Sequence, residues 1–158
     1  CQDMTELDLY GTIDCAVCSL DSINHLTRIS DVRNTFDKIS LFMNPGGVFV
    51  FDVNTVYKHR NTLADNVFVY ETDSSYCVLQ NSLNKKTDEV SITLDIFTPE
   101  NNLYKRHTES FGERAYDIGD IKKWLEYSGF GSRDIFGELT YEKAKADDQR
   151  VYFTAVKK

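Results

Sequence analysis

The cysteines are the first side chains to weigh for chemistry. There are four: Cys1, Cys15, Cys18 and Cys77. Cys15 and Cys18 form a C-x-x-C pair, the spacing of dithiol redox sites. In such sites the pair opens a helix, whose dipole lowers a thiol pKa. Here it lies inside the apolar run Ile13-Asp14-Cys15-Ala16-Val17-Cys18, and residues three apart on a strand point to opposite faces. Buried, inert thiols are the expectation. No second cysteine pair or histidine cluster completes a zinc set, so no metal site is expected. Reduced cysteines suit a cytoplasmic setting.

The elements that position these side chains follow from periodicity. Residues 12–18 read as a continuous apolar strand, the kind buried on both faces of a parallel sheet. Residues 1–10 read as a loop with a short strand-like start. Ser30 is placed to cap a helix running to about Met43, with Val32, Phe36 and Ile39 on one face. Asn44-Pro45-Gly46-Gly47 stops it, and residues 48–53 form a second buried strand. A strand–helix–strand unit of this length predicts a right-handed parallel crossover. The pattern is half of a nucleotide-binding α/β fold, entered in the middle.

The pattern then changes. Residues 67–73, 76–83, 89–97 and 103–113 alternate polar and apolar side chains between turn signals, as in Val90-x-Ile92-x-Leu94-x-Ile96. This predicts an antiparallel meander, with Tyr70, Tyr76, Phe97 and Phe111 in its core. A helix from about Asp117 to Tyr127 carries Ile118, Ile121, Trp124 and Leu125 on its apolar side, and Ser128-Gly129 ends it. Two strands follow, Phe130 to Leu139 and Arg150 to Val156. No internal repeat is visible.

Composition bounds the function. The chain has 158 residues, 41% hydrophobic and 13% aromatic, which suits one folded domain. Its 18 basic and 25 acidic residues give a charge of −7. An acidic chain without a basic run argues against nucleic-acid binding. No apolar run approaches the roughly 20 residues that span a bilayer, so no membrane partner is expected.

The order Asp3-Met4, then Leu20-Asp21-Ser22-x-Asn24-x-Leu26, a helix, and Asn44-Pro45-Gly46-Gly47-x-Phe49-x-Phe51-Asp52-Val53-Asn54-Thr55 resembles a class I S-adenosylmethionine-dependent methyltransferase. Glu113-Arg114-Ala115-Tyr116 and Trp124-Leu125-Glu126-Tyr127-Ser128-Gly129-Phe130 fit the same family. The resemblance covers essentially the whole chain and looks like the small-molecule type with an inserted antiparallel sheet. It implies a partial Rossmann-like α/β sheet, strands four to seven of the family. Residues 1–60 and 116–158 would form this core, and residues 61–115 an inserted lid, substrate or dimerisation subdomain. The glycine loop that grips the cofactor would lie upstream. On this reading the chain is the C-terminal portion of a longer enzyme and is inactive alone.

The resemblance also implies site residues. Asp3 and Met4 would read the adenine, the carboxylate accepting from its amine. Cys18, Ser19 and Leu20 would line the same S-adenosyl-L-methionine cofactor. Asp21, Ser22, Asn24 and His25 would face a small-molecule acceptor, since open parallel sheets bind ligands beyond the carboxyl ends of their strands. Asn54 and Thr55 share that rim more weakly. Each has a plainer reading: Asp21 or Ser22 as a helix cap, His25 as a partly buried, satisfied histidine rather than a base. Arg106, Arg114 and Tyr116 on the inserted sheet would recognise the acceptor, the arginines suiting a carboxylate or phosphate. Their plainer reading is the wet face of a sheet. No catalytic residue is assigned, because an activated methyl group needs mainly in-line positioning of its acceptor. Loss of the first strands would leave an apolar edge, and a homo-oligomer is expected. The competing reading is a non-catalytic binding or scaffold module with a degenerate methyltransferase fold.

Overall fold

The computed structural model describes residues 1–158, apart from the side chains of Ser132 and Arg133. In chain order the elements are β1 (Ile13–Cys18), α1 (Ile29–Phe42), β2 (Met43–Asn54), α2 (Val56–Lys58), β3 (Val67–Thr72), β4 (Ser75–Asn84), β5 (Glu89–Glu100), β6 (Leu103–Arg114), α3 (Ile118–Tyr127), β7 (Phe130–Gly137) and β8 (Arg150–Lys157). They form two four-stranded sheets, ordered β1-β2-β8-β7 and β3-β4-β5-β6. In the first, β1 runs parallel to β2, while β8 is antiparallel to both β2 and β7. The second is antiparallel throughout, a meander closed by hairpins. The expected α/β class with an added antiparallel sheet holds.

The core lies on one face of the first sheet. Phe49, Phe51 and Val53 of β2 and Val151, Phe153 and Ala155 of β8 alternate inward. They pack beneath Val32, Phe36 and Ile39 of α1, Ile121 and Leu125 of α3, and Phe130. Phe51 stacks on Phe153 with centroids 4.8 Å apart and on Phe49 at 4.7 Å. Each such ring contributes roughly 1.5–3 kcal/mol by leaving water. The intervening residues Val48, Val50, Tyr152 and Val156 are only half-buried on the opposite face.

Several details depart from the sequence reading. β1 is an edge strand, not one buried on both faces: Asp14, Cys15 and Val17 are exposed, Val17 by 70%. The thiols are therefore not uniformly buried. Cys1 and Cys15 are exposed, and Cys18 and Cys77 are half-buried. Arg28, not Ser30, occupies the cap position of α1, without a side-chain cap bond. Residues 1–10 contain no strand; Met4–Glu6 make a 3-10 turn capped by Asp3. Tyr70 and Tyr76, on opposite faces of the second sheet, are exposed rather than core, because neither face is covered at that end.

The α1–β2 junction explains its glycines. Gly46 sits at φ +84°, a left-handed conformation that favours glycine. A Cβ on Gly47 would come within 2.5 Å of the Met43 side chain. Asp117 starts α3 by accepting from the Gly119 amide at 2.7 Å, and Gly129 at φ +87° ends it.

Candidate active site at the rim between the two sheets

The rim forms where β1 and β2 end and β6 arrives. Beyond Cys18, Leu20 and Asp21 take φ values of 60° and 50°. That turn aims the Asp21 amide at Asp52 Oδ2, 2.9 Å away. Asp52 is 2% exposed, and Arg150, the first residue of β8, answers its charge. Arg150 donates through Nη1 to Asp52 Oδ2 at 2.5 Å and through Nη2 to Asp21 Oδ2 at 3.1 Å. One guanidinium thus holds two carboxylates, a geometry suited to its planar fork.

Asn54 extends this network. Its Nδ2 donates to Asp21 Oδ2 and, at 3.3 Å, to Glu113 Oε2. Its Oδ1 accepts from Lys58 Nζ at 2.8 Å. Burial lowers the Lys58 pKa, with the charge of Arg150 adding to the effect. Thr55 caps α2 and ties it to Asp148 O at 2.7 Å.

Glu113 enters from β6 and is nearly buried. Its Oε1 lies 3.8 Å from His25 Nε2 and its Oε2 lies 3.9 Å from His59 Nε2. Burial raises the Glu113 pKa, and the Asp21 charge raises it further. His59 is fully buried in the π-helical turn His59–Leu63. Its Nδ1 meets the Asp88 carbonyl at 2.9 Å, which makes Nδ1 the donor. Nε2 then carries a lone pair, has no hydrogen-bond partner among the described residues, and faces Glu113. Burial holds the His59 pKa below its ordinary value, keeping the ring neutral.

The sequence-predicted acceptor residues divide into two groups. Asp21 and His25 reach the network, and the His25 side chain is 45% exposed beside Phe111. The Ser22 hydroxyl donates to the Ser19 carbonyl at 2.7 Å. Asn24 is fully buried and acts as a staple. Its Oδ1 accepts from the Asn54 amide at 2.9 Å, and its Nδ2 donates to the carbonyls of Asn54 (3.0 Å) and Arg114 (2.9 Å). Both amide hydrogens are thus committed within the joint. Arg114 donates to Thr27 O at 3.1 Å and lies over the Tyr116 ring at 5.3 Å. Tyr116 donates to Leu26 O, and burial pushes its phenol up to about 12. These two side chains pin the backbone just after His25 instead of opening onto solvent. Arg106 does not reach the rim residues: it pairs with Asp95 at 2.6–2.8 Å within the second sheet.

On the expected cofactor side, Met4 and Cys18 both pack against the main core. Asp3 Oδ1 accepts from the Thr5 amide and hydroxyl at 2.8 and 2.7 Å, which holds its carboxyl below the ordinary range. Among the described residues none donates to Asp3 Oδ2, so one oxygen remains for an exocyclic amine. Ser19 and Leu20 are exposed at the end of β1, and burial raises the Cys18 thiol pKa. This donor set fits an adenine and a partly apolar neighbour. Among the described residues no group of three His, Cys, Asp or Glu side chains could hold a metal ion.

Sequence reasoning missed Asp52, Lys58, His59, Glu113 and Arg150. The one available signal was an aspartate within Phe49-Val50-Phe51-Asp52-Val53, a charge in an otherwise apolar strand.

No family model matches the chain. It is 30% identical over 157 residues to a protein of Geobacillus sp. (strain WCH70) provisionally named a methyltransferase. It is 26% identical over 159 residues to the similarly named YqeM of Bacillus subtilis (strain 168). Each match covers 99% of this chain and 64% of the relative, so the chain spans less than two thirds of their length. A solved S-adenosylmethionine-dependent methyltransferase from Clostridium acetobutylicum superposes with a TM-score of 0.91 at 30% identity, covering 99% of this chain and 63% of that one. CalS10 of Micromonospora echinaspora, an amino pentose methyltransferase solved with S-adenosylmethionine bound, shares the fold at a TM-score of 0.74 and 16% identity, with 99% and 63% covered. By sequence and fold together, the chain is similar over 99% of its length to proteins named as methyltransferases and shares the fold of a solved S-adenosylmethionine-dependent one.

Proposed function

We propose that this chain serves methyl transfer from S-adenosylmethionine to a small-molecule acceptor, as the adenine-edge and acceptor-side portion of a longer enzyme. The observation that carries the reading is the match to the Clostridium methyltransferase across 99% of this chain. The cofactor supplies an activated methyl group. Asp3 and Met4 hold its adenine edge, and Cys18, Ser19 and Leu20 border it at the end of β1. Asp21, Ser22 and His25 face the acceptor, and His25 accepts the proton when the acceptor must lose one. Asn24, Arg114 and Tyr116 keep the rim in place through the backbone bonds described above. The second sheet, within residues 61–115, acts as a lid or self-association surface, and Arg106 serves there. Four free thiols support a reducing, cytoplasmic setting. Among the described residues no helix is long and apolar enough to cross a membrane.

Calorimetry on the full-length protein tests the reading. S-adenosylmethionine and S-adenosylhomocysteine should both bind, and Asp3→Ala should weaken both. Absence of heat with either ligand across temperature and buffer would overturn it. The 158-residue chain alone should bind far more weakly, since part of a site is not preorganised. Light scattering at several concentrations checks the homo-oligomer.

A further inference from the structure

Glu113 is a carboxylate in a poor place for one. It is 7% exposed, and among the described residues its carboxylate has a single hydrogen bond, the 3.3 Å contact from Asn54 Nδ2. A buried carboxylate with one long hydrogen bond is costly unless something nearby satisfies it. The groups facing it are Asp21, His25, Asn54, Lys58 and His59. Asp21 repels it, and Lys58, which donates to Asn54 Oδ1, draws it through charge without an ion-pair contact among the described residues. His59 offers it no proton, because its N–H is committed to the Asp88 carbonyl and only a lone pair faces Oε2. The remaining neighbour is His25, whose Nε2 stands 3.8 Å from Oε1. His25 alone among these rings is half-exposed and free to choose its tautomer. The Phe111 ring flanks it with centroids 5.4 Å apart, limiting how it turns.

We infer that Glu113 is a positioning residue for His25: its Oε1 holds the Nε2–H of the imidazole and turns Nδ1 toward the acceptor. A small rotation closes the 3.8 Å gap to hydrogen-bond length. Nδ1 then carries the lone pair that receives the acceptor's proton. The ring becomes an imidazolium, and Glu113 balances its charge. The acceptor atom keeps the electron pair of its former bond to hydrogen, and nothing is oxidised or reduced. An orienting carboxylate behind a histidine is a general device, since it fixes the tautomer and stabilises the charged ring. Glu113 lies at the end of β6, and Asn24 ties that strand to β2, so the second sheet supplies the group that aims the base.

The inference rests on the proposed acceptor-side role of His25, and its test separates the two. Imidazole nitrogen–proton NMR on the full-length protein, without cofactor, should find the His25 Nε2 proton shifted downfield and slow to exchange. In Glu113→Gln that signal should move upfield and exchange faster, while Glu113→Asp should retain much of it. In turnover, Glu113→Gln should lower kcat by about 10- to 100-fold with little change in acceptor KM, the range typical of orienting carboxylates. Glu113→Asp should recover part of that loss. A His25 Nε2 signal identical in wild type and Glu113→Gln would overturn the inference, even if methyl transfer is real. So would a Glu113→Asp variant as impaired as Glu113→Gln. A wild-type protein that shows the NMR signature and never binds the cofactor would instead sink the methyltransferase reading and leave the pair standing.

Discussion

The first sheet buries Phe49, Phe51, Val53, Val151, Phe153 and Ala155 on one face, and two helices cover them. Among the described apolar residues of β3 to β6, only Val90 and Ile92 are buried. The second sheet relies instead on its backbone ladders and on cross-strand pairs such as Asp95 with Arg106 and Thr108. Its outer end exposes Leu103 and Tyr104. Where the sheets meet, the joint is polar: Asn24 with Arg114, His59 with Asp88, Asn81 with Leu63. Apolar packing sets stability in one region, and hydrogen bonds set geometry at the junction. The proposed acceptor rim lies at that junction, where specific polar direction matters more than contact area.

Truncating the packed sheet should have the largest effect. Phe51→Ala removes a ring stacked on two others and should cost about 3–5 kcal/mol, read from the urea midpoint. A loss under about 1 kcal/mol would mean that the phenylalanine stack is not the main support. Arg150→Met comes next. It strands the buried Asp52 carboxylate and should cost about 3 kcal/mol, and Arg150→Lys should restore only part because an ammonium cannot hold both carboxylates in a planar fork.

The junction should reveal itself through pH. His59 has a folded pKa below its ordinary 6.5, so its contribution is present above that value and is lost as pH falls toward the folded pKa. Glu113 runs the opposite way, since its folded pKa lies above 4.5: its contribution is full below that value and is lost as pH rises through the folded pKa. Unfolding measured from pH 5 to 8 should therefore show His59→Gln flattening the acid side of the stability profile. An unchanged slope would place the acid sensitivity elsewhere. The smallest effect belongs to the outer end of the second sheet, where Leu103→Ser should stay within about 0.5 kcal/mol of wild type. A larger loss would show that this end is covered in solution.

Much of this contrast was legible in the residues. Phe49, Phe51 and Val53 alternate as strand residues must, and Val32, Phe36 and Ile39 repeat as a helix face must. The breaks at Asn84 to Asp88 and Pro99 to Asn102 located the meander's hairpins closely, although β5 continues through Pro99 to Glu100. The exposure of β1 was not legible, because an apolar run reads alike at a sheet's centre and at its edge. Tyr70 and Tyr76 were misplaced because alternation separates two faces without saying whether either is covered. The site was half visible. Asp21 and His25 follow a strand end, where an open sheet binds, but Glu113 is far from both His25 and His59 in sequence and meets them only through folding. Asn24 looked like a ligand contact, and only the partners of its amide reveal a staple.

Leu20 and Asp21 both hold left-handed backbone angles, although neither is glycine. Single left-handed residues of this kind cost roughly 1 kcal/mol or more each. Leu20→Gly would therefore relax the turn, and an engineer selecting for heat resistance would be drawn to it. The same turn delivers the Asp21 amide to Asp52 and its carboxylate to Arg150 and Asn54. A sturdier loop would come with a looser rim, which makes this dipeptide a place where selection for durability and selection for turnover pull apart.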